Sequence, residues 1–157
     1  MRPGVRIGVD VGKVRIGISR SDLHGMLATP VETVPRGAGD IARIAAIATE
    51  LDAFEVIVGL PLALSGDRTA STEDAAGFAQ ALATAHLGMT RIPVRLVDER
   101  LSTVSAHSAM RSSGRNTRQS RSVIDQVAAV IILQHALDVE RSSEIPPGEL
   151  VNPDEGL

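Results

Sequence analysis

The strongest constraint on this chain is a change of hydrophobic period part-way along it. Val5, Ile7, Val9 and Val11 alternate with Arg6, Gly8, Asp10 and Gly12, the period of two expected of a strand with one apolar face. After a turn at Gly12 and Lys13, Ile16 and Ile18 alternate with Arg15, Gly17 and Ser19, which makes a second strand in hairpin contact with the first. Residues 27–34 read as a third strand. Its Pro30 cannot donate to a ladder, so it belongs at a sheet edge. The period then lengthens. Asp40 is placed to cap a helix in which Ile41, Ile44, Ile47, Ala48 and Leu51 form one stripe.

The apolar run at 56–60 is of strand length and predicts a central strand covered on both faces. A second helix over 71–87, with Ala75, Phe78, Ala79 and Leu82 inward, stops at Gly88. Residues 94–99 are a further strand, 103–111 a short helix and 118–140 a long one. The order βββαβαβαα joins an antiparallel meander to right-handed crossovers and makes strands one, four and five parallel. The expected fold is α/β, a mixed five-stranded sheet with helices on both faces.

A length of 157 residues suits one complete core. The expected division is one domain over 1–140 and a flexible tail over 141–157, where Pro146, Pro147, Gly148 and Pro153 break any periodicity. The chain has no cysteine, no secretory leader pattern and no apolar run near the roughly 20 residues of a membrane helix. A cytoplasmic protein with no membrane partner is expected, as a monomer or homodimer. The net charge of −3 means that a polyanionic partner needs a local basic patch.

In open α/β sheets ligands gather at the carboxyl ends of parallel strands. Asp10 closes strand one, the stretch from Gly59 through Pro61 to Gly66 follows strand four, and Asp98, Glu99 and Arg100 close strand five. Asp125 lies in the second turn of the long helix. Each acid alone has a plain structural alternative: a turn cap for Asp10, an ion pair with Arg95 or Arg100 for Asp98 and Glu99, and an i to i−4 pair with Arg121 for Asp125. Asp98 and Glu99 point to opposite faces of a straight strand, so one of them at most faces Asp10.

Together, carboxylates from three segments in one crevice repel one another unless a cation neutralises them. Two divalent ions would do so, and would suit hydrolysis of a phosphodiester. The four histidines are scattered singly and offer no zinc spacing. Arg111, Arg115, Arg118 and Arg121 lie beside the crevice among Ser, Gly, Asn and Thr, either as a track for a nucleic-acid backbone or as a solvated loop. Arg15 and Arg100, next to the acids, extend the nucleic-acid-binding set. Gly12, Gly59, Pro61 and Gly66 are phosphate-loop candidates, although an ordinary connection uses the same residues.

At these residues the chain resembles the YqgF family, also called RuvX, of pre-16S rRNA nucleases. The matching pieces are Gly8-Val9-Asp10-Val11-Gly12 with Arg15-Ile16-Gly17-Ile18, then Val58-Gly59-Leu60-Pro61, Asp98-Glu99-Arg100-Leu101-Ser102-Thr103 and Ile124-Asp125-Gln126-Val127-Ala128-Ala129. The resemblance implies an RNase H-like fold with strand order 3-2-1-4-5, and catalytic, metal-holding acids at Asp10, Glu99 and Asp125, with Asp98 as the substitute for Glu99. It implies Mg²⁺ or Mn²⁺ as cofactor, 5′-phosphate and 3′-hydroxyl products, and a role in maturing the 5′ end of 16S rRNA. Branched DNA is the second substrate, by analogy with Holliday-junction resolvases.

That strand order sets a geometric problem. One strand separates Asp10 from Glu99, a backbone distance of roughly 9 to 10 Å, so the side chains must lean inward or be bridged by metal. Two other functions compete with the nuclease. The Asp-x-Gly hairpin also resembles the phosphate loop of actin-like ATPases, but those enzymes need a second lobe and a Thr after Gly12. A non-catalytic RNA- or ribosome-binding factor on the same scaffold fits the acidic charge.

Overall fold

The computed structural model describes residues 1–85, 91–100 and 118–153, with the side chains of 118–122 excepted. Strands β1 (Val5–Val11), β2 (Arg15–Ser21) and β3 (Ala28–Pro35) form the meander. They are followed by helix α1 (Asp40–Glu50), β4 (Ala53–Leu60), α2 (Ala70–Thr84), β5 (Val94–Asp98), α3 (Arg118–Ser143) and β6 (Glu149–Leu150). The short helix expected over 103–111 lies outside the described residues. The sheet runs β3-β2-β1-β4-β5-β6. β1 pairs parallel with β4 and β4 with β5, while the β1–β2, β2–β3 and β5–β6 pairings are antiparallel.

The expected order of five is present, and a sixth strand extends it. Proline-rich composition gave no sign of β6, because a two-residue strand has no period to read. Within the stretch read as tail, α3 continues to Ser143 and Glu149–Leu150 pair with Leu96 and Arg95. Val151 N–H then donates to the Val94 carbonyl at 2.8 Å.

Alternation divides the sheet into two faces. Ile7, Val9, Ile16, Ile18, Val56 and Val58 pack with Ile44, Ile47, Phe78 and Leu82 under α1 and α2. Ile57 and Val97 pack on the other face with Ile132, Leu133, Ala136 and Leu137 of α3. The run at 56–60 is therefore apolar throughout because both of its faces are covered. Pro30 sits on β3, at the sheet edge, where its missing donor costs no ladder bond. At the start of α1 the N-cap is Gly39, at φ 89°, rather than Asp40. Asp40 is the first helical residue, and its carboxylate accepts from Gly37 N–H and Ile41 N–H.

At the amino end of β1 a charged cluster binds the chain termini of the domain together. Arg6, 1% exposed, donates to Glu140 at 3.0 Å, and Arg2 bridges Glu140 and Glu55 at 2.7 and 2.8 Å. Arg95 joins Glu55 at 2.8 Å, and both Arg2 and Arg6 stack over the Phe54 ring. Burial pushes the Glu140 carboxyl up, but hydrogen bonds from Arg2 and the charges of Arg2 and Arg6 outweigh it and hold it down to about 2. Glu140→Gln is expected to cost about 3 kcal/mol at pH 7, because it leaves a buried guanidinium without its counter-charge. Since the folded carboxyl titrates near 2 and the unfolded one near 4.5, the contribution is complete above pH 4.5 and lost as pH falls towards 2. Urea melts of both proteins at pH 7 and pH 3 check this: the gap between them should narrow at the lower pH. No described helix is long and apolar enough to cross a membrane.

Candidate active site

The crevice is built on glycines. Asp10 lies on the α3 face of β1, directly opposite Gly17 of β2 in the antiparallel register. A Cβ on Gly17 would run into the backbone carbonyl of Asp125, and one on Gly8 would meet Leu133 Cβ at 2.7 Å and the Ala129 carbonyl at 2.9 Å. Helix α3 thus rests directly on the sheet backbone, secured by Ser19 Oγ, which donates to the Ala129 carbonyl at 2.8 Å. Close approach delivers Asp125 beside Asp10.

Glu99 arrives from the opposite side. It follows β5, and its N–H donates to the Leu60 carbonyl at 3.3 Å. The strand between it and Asp10 is β4, and at the level of the crevice β4 presents Gly59. A Cβ there would collide with Glu99 Oε2 and stand 2.7 Å from Ile132 Cδ1. The absent side chain is the space through which the Glu99 carboxylate leans towards β1. This resolves the one-strand gap implied by the strand order.

The acids interact. Asp10 is 7% exposed and Glu99 6%. Burial, then the charge of Glu99, then that of Asp125 push the Asp10 carboxyl up to about 8. Asp98 points elsewhere: its side chain is 41% exposed and contacts Arg100 at 2.6 Å, which holds its carboxyl below the usual range. Of the Asp98–Glu99 pair, Glu99 faces Asp10. Asp125 pairs with Arg15, whose Nε–H donates to Oδ2 at 2.9 Å.

The remaining sequence-predicted residues fall into three groups. Arg100 holds Asp98 and reaches the Leu64 carbonyl at 3.5 Å, at the crevice rim. Gly12 N–H donates to the Arg15 carbonyl and Gly66 N–H to that of Ala63, so both close turns. The Pro61 carbonyl accepts from Thr72 Oγ1. Arg111, Arg115 and the side chains of Arg118 and Arg121 lie outside the described residues. Reading the sequence did not single out Gly17 as a site residue, although its position was deducible: closing the hairpin at Gly12 and Lys13 puts it across from Asp10.

Three carboxylates with hard oxygen donors suit a divalent cation, which would offset both the burial and the neighbouring charges of Glu99 and Asp125 that push the Asp10 carboxyl up. Among the described residues no group of three or more acids or histidines stands in an ion-holding arrangement. Asp125 is held by Arg15, so Asp10 and Glu99 are the pair already turned to each other.

A mixed sheet in this order, with acids at the ends of β1 and β5 and a third on the covering helix, defines an RNase H-like domain with a carboxylate crevice. The fold is shared with the solved structure "T. thermophilus RuvC in complex with Holliday junction substrate", at TM-score 0.50 and 13% identity over 94% of this chain and 99% of that one. A family model described as "RuvX: Holliday junction resolvase" matches residues 4–139. Proteins named "Putative pre-16S rRNA nuclease" match along nearly their whole length. The one from Clavibacter michiganensis subsp. michiganensis is 66% identical, over 96% of this chain and 93% of its own. That from Leifsonia xyli subsp. xyli is 65% identical, over 98% and 97%, and that from Thermobifida fusca 52%, over 96% and 98%. The chain belongs to the RuvX family.

Proposed function

We propose that the chain is a metal-dependent endonuclease that cuts phosphodiesters at the 5′ end of precursor 16S rRNA, using Asp10, Glu99 and Asp125. The observation that carries this reading is the Glu99 carboxylate lying over Gly59 towards Asp10, which sets two buried acids side by side where burial and the charges of Glu99 and Asp125 push the Asp10 carboxyl up. The substrate is carried over from relatives of up to 66% identity that bear the pre-16S rRNA nuclease name.

Mg²⁺ or Mn²⁺ bound by the acids would activate a water and stabilise the leaving oxygen, leaving 5′-phosphate and 3′-hydroxyl ends. Asp10 and Glu99 would hold the ion with hard carboxylate oxygens, and Asp125 would add a third from α3. Arg111, Arg115, Arg118 and Arg121 hold the nucleic-acid backbone, with Arg100 at the rim. Arg118 and Arg121 start the helix that carries Asp125, roughly 6 to 10.5 Å away along its axis at 1.5 Å per residue. We place the protein in the cytoplasm.

The test is cleavage of a labelled RNA spanning the 16S 5′ leader, beside a four-way DNA junction, with Mg²⁺, Mn²⁺ or EDTA. Cutting of the RNA that EDTA stops is the expected result. Preferential cutting of the junction would move the assignment to a resolvase, the activity in the description of the matching family model. Tight RNA binding with no cleavage in either metal would leave a non-catalytic RNA-binding factor.

A further inference from the structure

The three acids of the crevice are not equivalent. Asp125 has a cationic partner, Arg15, whose guanidinium extends from β2 on the face that carries Gly17 and Ser19. Asp10 is paired with no cationic side chain among the described residues, and Arg15 is not among the charges that displace its carboxyl. The Arg15 and Asp125 side chains are 31% and 17% exposed, so the pair sits at the mouth of the crevice and not at its floor. The pair is only partly withdrawn from water, so a cation that takes the place of Arg15 keeps Asp125 compensated and returns the guanidinium to solvent. A divalent cation with hard oxygen preference competes well for the same carboxylate, and the helix holding Asp125 is already fixed by its contact on Gly17.

We infer that Arg15 is an internal competitor for Asp125: its guanidinium holds this carboxylate in the metal-free protein and gives it up when a divalent cation binds. The inference rests on reading the acids as a metal site. A guanidinium set free at the mouth then stands where a phosphate oxygen of the nucleic acid must pass, so metal binding prepares a substrate contact. Arg15 is a positioning residue in the first state and a substrate-binding one in the second.

The test is Mn²⁺ binding, by calorimetry and by the electron paramagnetic resonance signal of free Mn²⁺, to wild type, Arg15→Gln, Arg15→Lys, Asp10→Asn, Asp125→Asn and Arg15→Gln/Asp125→Asn, each checked for fold by circular dichroism. Removing the competitor should tighten Mn²⁺ binding by about fivefold or more in Arg15→Gln, the lower range for coupled sites. Arg15→Lys keeps the charge and should stay near wild type. In the Asp125→Asn background Arg15→Gln should change nothing, because the contested carboxylate is gone. With Mn²⁺ saturating, Arg15→Gln should raise KM for RNA more than it lowers kcat. Wild-type protein that binds no Mn²⁺, or Asp10→Asn that binds it as well as wild type, would overturn the metal-site reading and the inference with it. Mn²⁺ binding weakened in Asp10→Asn but unchanged or weakened in Arg15→Gln would overturn the inference alone.

Discussion

Asp10→Asn is expected to abolish cleavage and, in EDTA at pH 9, to make the protein more stable. Both halves come from one cause. The substitution keeps volume and shape while removing a carboxylate proposed to hold the metal with Glu99 and Asp125, so a metal-dependent rate should fall by about a thousandfold or more, given that such ions supply several kcal/mol of transition-state stabilisation. The same charge is a burden on the metal-free fold. Asp10 titrates near 8 in the folded protein against 3.8 for an unperturbed carboxyl. The native state therefore holds the proton more tightly. No penalty exists below pH 3.8, it grows as pH rises through this window, and it is complete above pH 8. Asn carries no such penalty, so the variant should gain more than ~1 kcal/mol at pH 9 and little at pH 4. Urea unfolding in EDTA at both pH values, beside the cleavage assay, decides it. A variant that still cuts removes Asp10 from the site, and a stability difference that does not depend on pH removes the argument that burial and the neighbouring acids raise Asp10.

Gly17→Ala and Gly59→Ala should both destroy activity, but in ways that unfolding separates. At Gly17 the added methyl collides with the Asp125 backbone carbonyl. Main chain of a packed helix cannot step aside without lifting α3 from the sheet, so about 2 to 3 kcal/mol of stability should go with the activity. At Gly59 the obstacles are the Glu99 carboxylate and the end of Ile132, both ends of flexible side chains. They can swing away, so most of the stability should remain while the rate drops by about a hundredfold, the cost of a misplaced group. The measurements are urea midpoints and kcat for the two variants. Wild-type stability in Gly17→Ala would mean that α3 does not rest on the sheet backbone. Wild-type kcat in Gly59→Ala would mean that Glu99 reaches the site by another path.

The positions of the acids are legible in the hydrophobic pattern alone. Asp10 is at the end of an alternating strand, Asp98 and Glu99 end another, and Asp125 is in the second turn of a helix. Which of Asp98 and Glu99 turns inward is not legible there. Alternation says only that the two diverge, and the choice depends on which face of β5 meets α3. Gly59 shows the same limit from the other side. Sequence reading put it at the end of a strand, as a phosphate-loop candidate or part of an ordinary connection, and gave no sign of the space it leaves beside Glu99, a neighbour 40 residues away.

Local periodicity determined most of the elements and the segments that bear charge, since the placement of apolar residues at intervals of two or 3.6 is a property of a few consecutive residues, while the order of the sheet came with the family resemblance. Only the tertiary structure decided that Arg15 holds Asp125, that Gly17 seats α3 and that Glu99 crosses β4. These depend on side chains that meet across 40 to 110 positions of the chain, and on missing Cβ atoms whose meaning appears only when the neighbour is in place.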